Sequence, residues 1–129
     1  MKLLLDTHAF LWLASDSSKL SPKVQRLISD DDNALYMSVA SLWEMSIKLS
    51  LGKLQIGKPL TILVSEQQQA NHIQLLAIQP SHALAVQELP HHHKDPFDRM
   101  LVAQSAAESM LLLSHDPMLK LYSVQIEWE

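Results

Sequence analysis

The sequence has no cysteine, which excludes disulfide staples, thiolate nucleophiles and cysteine-based zinc sites. With only two glycines in 129 residues, it is neither a repetitive fibre nor a flexible linker. Long apolar runs are missing too. The opening residues 3–5 are interrupted at once by Asp6 and His8, too soon for a signal-peptide core or a membrane span. The expectation is a mature chain starting here and residing in the cytoplasm. Positive charge is scarce: ten Lys and Arg face fourteen Asp and Glu, leaving a net charge of −4. Gripping nucleic acid by phosphate neutralisation alone wants the opposite balance, so any such contact needs cations to cancel converging carboxylates.

Hydrophobic residues make up 47% of the chain, enough for one core and one domain spanning residues 1–129. Residues 3–5 are continuously apolar and end at Asp6, the pattern of a parallel strand buried on both faces. A short helix over 8–14, a loop over 15–18, and a helix from the Ser21-Pro22 cap to about 29 follow. Next come a strand at 35–37 and a helix that starts between 39 and 41 and stops at Gly52, with Ser41 and Glu44 at capping-box spacing. A helix after Pro59 to about 70, a strand at 75–78, and a helix from Pro80 to before Pro90 lead into the polar loop 91–94. Asp95-Pro96 opens a helix to about 109, a strand follows at 110–113, Asp116-Pro117 is another cap, and a last strand lies near 124–128. This alternation predicts an α/β domain, with a central, mainly parallel sheet flanked by helices.

In such sheets ligands bind beyond the carboxyl ends of the strands. Asp6 and Asp116 follow strands, Glu44 sits in the first turns of the helix after the second strand, and Asp98 lies in the first turn after the Asp95-Pro96 cap, so the topology can bring all four towards one edge. Each has a local explanation. Asp6 ends a strand, Glu44 is spaced to reciprocate Ser41 in a capping box, and Asp95 and Asp116, each before a proline, are N-caps. Together they are four carboxylates that repel one another unless cations compensate, which suits hard Mg²⁺ or Mn²⁺ and phosphodiester hydrolysis.

The segments L-L-L-D-T-H at 3–8, S-L-W-E-M at 41–45, H-K-D-P-F-D-R-M-L-V-A-Q at 93–104 and L-L-S-H-D at 112–116 resemble, in order, the successive motifs of PIN domains, closest to the VapC-like branch. The likeness covers nearly the whole chain, and its third motif is the most specific. It implies a PIN-like three-layer fold in which Asp6, Glu44, Asp98 and Asp116 are catalytic and hold the metal, supported by the Thr7 or Ser114 hydroxyls. It also favours Asp98 over Asp95 as the third acid, because the family's pattern has an alanine five residues on and Ala103 stands there. The activity implied is that of a Mg²⁺-dependent endoribonuclease (Mn²⁺ a substitute), the toxin of a toxin–antitoxin pair. Its partners would be RNA, a cognate antitoxin and a second copy in a homodimer.

Several other residues attract attention. His91, His92 and His93 are sequence neighbours in a loop, which rarely aims all three at one ion, so a solvated loop beside the acidic edge is expected. Lys94 and Arg99 nearby are expected to meet RNA phosphates, Arg99 foremost. Trp12, Trp43, Phe97 and Trp128 are scattered without interleaved basic residues, so core packing is the expectation. His8 either orients the site or is satisfied by backbone, and Lys48, Lys53 and Lys58 either flank an RNA path or, as lysines on a helix and its following loop usually do, keep a surface wet. The rival functions are a DNA-directed nuclease of the same fold and a non-catalytic PIN-like binding or regulatory domain. A receiver domain fits poorly, since Thr7 and His8 follow Asp6 where a second acid is wanted.

Overall fold

The computed structural model describes all residues, 1–129. Strand β1 (Lys2–Leu5) leads into α1 (Thr7–Ser15), followed by a 3-10 turn, α2 (Pro22–Ser29), β2 (Ala34–Ser38) and α3 (Val39–Ser50). Then come α4 (Leu60–Asn71), β3 (Gln74–Leu76), α5 (Pro80–Val86) and α6 (Pro96–Glu108). The chain closes with β4 (Leu111–Leu113), a 3-10 turn (Pro117–Leu121) and β5 (Ile126–Glu127). The five strands form one sheet in the order β3-β2-β1-β4-β5, and every pairing is parallel.

The leucine runs show why the sheet is the middle layer of three. Leu3 and Leu5 point into a core built with Phe10, Val24, Met45 and Leu63 from α1 to α4, while Leu4 points the other way, towards Leu101 and Val102 of α6. Leu111 and Leu113 split from Leu112 in the same manner. A strand buried on both faces needs apolar residues at every position, and side chains alternating across it feed both layers. At roughly 2 kcal/mol per fully buried leucine, these six residues are a large share of what holds the sheet between its helices.

Two details place the site. The chain crosses from one half of the sheet to the other between β1 and β4, so their carboxyl ends form the crevice where α/β sheets bind ligands. Helix α3 is capped by Ser38, whose Oγ accepts from Ala40 N–H at 3.0 Å, rather than by the expected Ser41–Glu44 box. The helix therefore begins directly where β2 stops, leaving Ser41 inside its first turn and Glu44 free for other partners.

Candidate active site

Asp6 leaves β1 as the N-cap of α1. Its Oδ1 accepts from Ala9 N–H at 2.7 Å, and the residue is buried. Burial pushes its carboxyl pKa above the usual range, against the opposing effects of the Ser114 hydroxyl, the Ala9 N–H and His8; the Glu44 charge adds to the rise. Glu44, also buried, accepts the Thr7 hydroxyl on Oε1 at 2.6 Å and Lys48 Nζ on Oε2 at 2.8 Å. That bond raises the Lys48 pKa, against partial burial and with the charges of Glu44, Asp95 and Asp98 adding to the rise.

The third acid comes from α6. Asp95 is the N-cap, with its Oδ1 accepting from Phe97 N–H at 2.8 Å and Asp98 N–H at 3.1 Å, as its place before Pro96 predicts. Asp98, one turn in, reaches towards the crevice. Its pKa is pushed up to about 7 by burial first and then by Asp95, with Asp6 and Glu44 adding and His93 opposing. Asp116, after β4, caps the closing 3-10 turn through Met118 N–H at 2.9 Å, while Ser114 Oγ accepts its backbone N–H at 3.1 Å.

All four predicted acids, with Thr7 and Asp95, line one cleft of about 470 Å³, and Lys48 is the only lysine or arginine among its lining residues. The donors are oxygens, the acids outnumber the cations, and one carboxyl is pushed close to neutrality. This set fits a hard divalent cation, which compensates the charge better than protons do at neutral pH.

Four expectations need correction, on Arg99, His93, Trp43 and Lys48. Arg99 is not a phosphate contact. It is buried, with Nη1 donating to Pro90 O at 2.8 Å and Tyr122 Oη at 3.2 Å, and Nη2 to Val86 O at 3.0 Å and Leu89 O at 3.4 Å. His93 is not solvated like its exposed neighbours His91 and His92. Its Nε2 lies 2.8 Å from Asp116 Oδ2 and 3.2 Å from Asp98 Oδ2. Trp43 is 60% exposed rather than core, edge-on to Phe97 at 5.2 Å. Lys48 joins the site through an i,i+4 pair with Glu44, a spacing visible in the sequence, whereas His93 has no such paired spacing and is marked only as the first residue of the third motif. Trp12 and His115, 6.4 Å apart, and His8 form an aromatic wall on another side of the cleft.

A family model described as PIN domain matches residues 3–124. The chain belongs to the PIN domain family. It is 28% identical over 119 residues to Ribonuclease VapC22 of Mycobacterium tuberculosis, covering 92% of this chain and 89% of that protein. Among solved structures, this PIN domain resembles VapBC2 from Rickettsia felis bound to a DNA fragment from their promoter, with a TM-score of 0.72 at 13% identity over the whole of both chains. It also resembles DNA-bound VapBC from Salmonella typhimurium, with a TM-score of 0.68 at 14% identity over 98% of this chain and 97% of that one. The fold is thus that of a three-layer PIN domain. No helix is long and apolar enough to cross a membrane.

Proposed function

We propose that the chain, acting as one unit over residues 1–129, is a divalent-metal-dependent endoribonuclease and the toxin of a toxin–antitoxin pair. The observation that carries this is the convergence of Asp6, Glu44, Asp98 and Asp116 on the cleft at the β1–β4 crevice. Membership of the PIN family and the likeness to a ribonuclease support the reaction class. The named VapBC complexes support an antitoxin as partner. A homodimer is proposed on the family resemblance alone.

The four carboxylates would hold Mg²⁺, or Mn²⁺ in its place. A bound divalent ion supplies an acidified water and charge compensation at the phosphate. The chain's own residues do the positioning. Thr7 and Lys48 hold the two oxygens of Glu44, so this carboxylate keeps one orientation. The Ala9 N–H fixes Asp6, and Asp95 starts α6 so that Asp98 faces the crevice. Lys48, the cleft's one lysine, both neutralises Glu44 and offers a cation to an incoming phosphate.

The test is to incubate the protein with end-labelled single-stranded RNA and a DNA strand of the same sequence, with Mg²⁺ or with EDTA. Internal RNA cleavage with Mg²⁺ only, and intact DNA, is the expected result. Equal cleavage of DNA would turn the assignment to a nuclease that ignores the 2′-hydroxyl.

A further inference from the structure

We infer that His93 is a positioning residue of the site. Its imidazole N–H donates to Asp116 while the same ring edge lies against Asp98, and so sets the separation of two carboxylates that arrive from different elements. This rests on the assignment of those carboxylates as cation ligands.

His93, Asp98 and Asp116 offer donor atoms all within 4.8 Å of one another, which at first sight makes a nitrogen-plus-two-carboxylate metal site. The other ring nitrogen decides against it. His93 Nδ1 lies 3.0 Å from Asp95 N and accepts that backbone proton. An amide N–H is always a donor, so Nδ1 must be bare and the neutral ring carries its proton on Nε2. A histidine that ligates through Nε2 has the opposite arrangement, with Nδ1–H donated to an acceptor. His93 Nε2 therefore donates to Asp116 Oδ2 at 2.8 Å, and Asp98 Oδ2 lies 3.2 Å from the same nitrogen, within electrostatic reach of its proton.

The ring is held for this task. His93 backbone N–H donates to Tyr122 Oη at 3.0 Å, and the same phenol oxygen accepts from Arg99 Nη1 at 3.2 Å. Arg99 in turn binds the carbonyls of Val86, Leu89 and Pro90, the segment that leads into the histidine loop. So the residue next to Asp98 in sequence clamps the loop that places the imidazole between Asp98 and Asp116. Each carboxylate has about four lone-pair sites, and one N–H donated to Asp116 leaves most of them for a cation.

The test uses the full chain and Mn²⁺ alone as probe, with free Mn²⁺ read by electron paramagnetic resonance for wild type, His93→Ala and His93→Gln. Thermal melts establish that each variant is folded. Loss of an outer partner of a ligand typically weakens metal binding by about 10- to 100-fold, the loss expected for His93→Ala. His93→Gln carries an N–H near the place of Nε2 and is expected within about threefold of wild type. In wild type, long-range ¹H–¹⁵N spectra of the histidine rings should show the His93 proton on Nε2 both before and after saturation with Mg²⁺. A proton found on Nδ1 after saturation, or His93→Ala binding Mn²⁺ as tightly as wild type, would overturn the positioning role alone. A wild-type chain that binds no Mn²⁺ would overturn the cation site and this role together. Should His93→Ala fail to fold, the glutamine variant and the ring spectra still decide.

Discussion

Asp98→Asn is expected to cut metal-dependent RNA cleavage by at least about a hundredfold while making the metal-free protein harder to melt. The first effect follows from removing an inner oxygen ligand, which should cost no less than the loss of an outer partner. The second follows from the surroundings of Asp98. Burial and the neighbouring acids raise its pKa from 3.8 to about 7, so folding disfavours its charge. A carboxyl raised in this way is most favourable to the fold while protonated, below about pH 4, and that advantage is lost as pH rises through 7. Asparagine needs no proton and avoids the loss. Full conversion at 1.36 kcal/mol per pKa unit overstates the gain, because Asp98 is partly solvated and its charge also complements the N-terminus of α6. About 1–3 kcal/mol remains, or roughly 4–12 °C in Tm. In EDTA, the melting gap between variant and wild type should open between about pH 4 and 7 and then level off. Saturating Mg²⁺ should raise the Tm of wild type more than that of the variant, closing the gap. Melting curves with the same gap at every pH would mean that the Asp98 charge is not what the fold resists.

Arg99→Met is expected to destabilise the protein by about 2–4 kcal/mol, a fall of roughly 8–16 °C in Tm. The guanidinium makes four hydrogen bonds, and its loss strands acceptors in a place with little water. Arg99→Lys should recover part of the loss at best, since a single ammonium cannot replace the planar fork that spans three carbonyls and a phenol. Were Arg99 instead a phosphate contact, methionine would leave the Tm alone and reduce the salt dependence of RNA binding. The two roles thus separate in one melting experiment.

The leucine run Leu3–Leu5 was legible as a doubly buried strand, because an uninterrupted apolar run is what a central parallel strand requires, and residues 110–113 were legible as a strand. The Asp-Pro and Ser-Pro caps were legible for an equally local reason: a short polar side chain before a proline has few other uses. The four acids were legible as a group because topology sends the ends of β1 and β4 to one crevice. Contacts distant in sequence were hidden. Arg99 finds Val86 O and Tyr122 Oη, 13 and 23 residues away, and nothing beside Arg99 announces a cage of carbonyls. Glu44 shows how a local pattern can mislead. Its spacing from Ser41 fits a capping box, but Ser38 takes the cap and Glu44 gains Thr7, 37 residues away. His93 sits in a loop that periodicity does not describe, held by Arg99 and Tyr122. Trp43 was expected in the core by default, because no basic residues interleave the aromatics, but α3 turns it outwards.

The most direct test compares wild type with Asp6→Asn, expressed and purified identically, on labelled single-stranded RNA with Mg²⁺. Asparagine keeps an acceptor for Ala9 N–H, so α1 stays capped and only the charge is lost. If the acids at the β1–β4 crevice are the catalytic metal site, wild type cleaves with Mg²⁺ and stops with EDTA, while the folded variant is at least about a hundredfold slower. Undiminished cleavage by folded Asp6→Asn would place the activity elsewhere and contradict the proposed site.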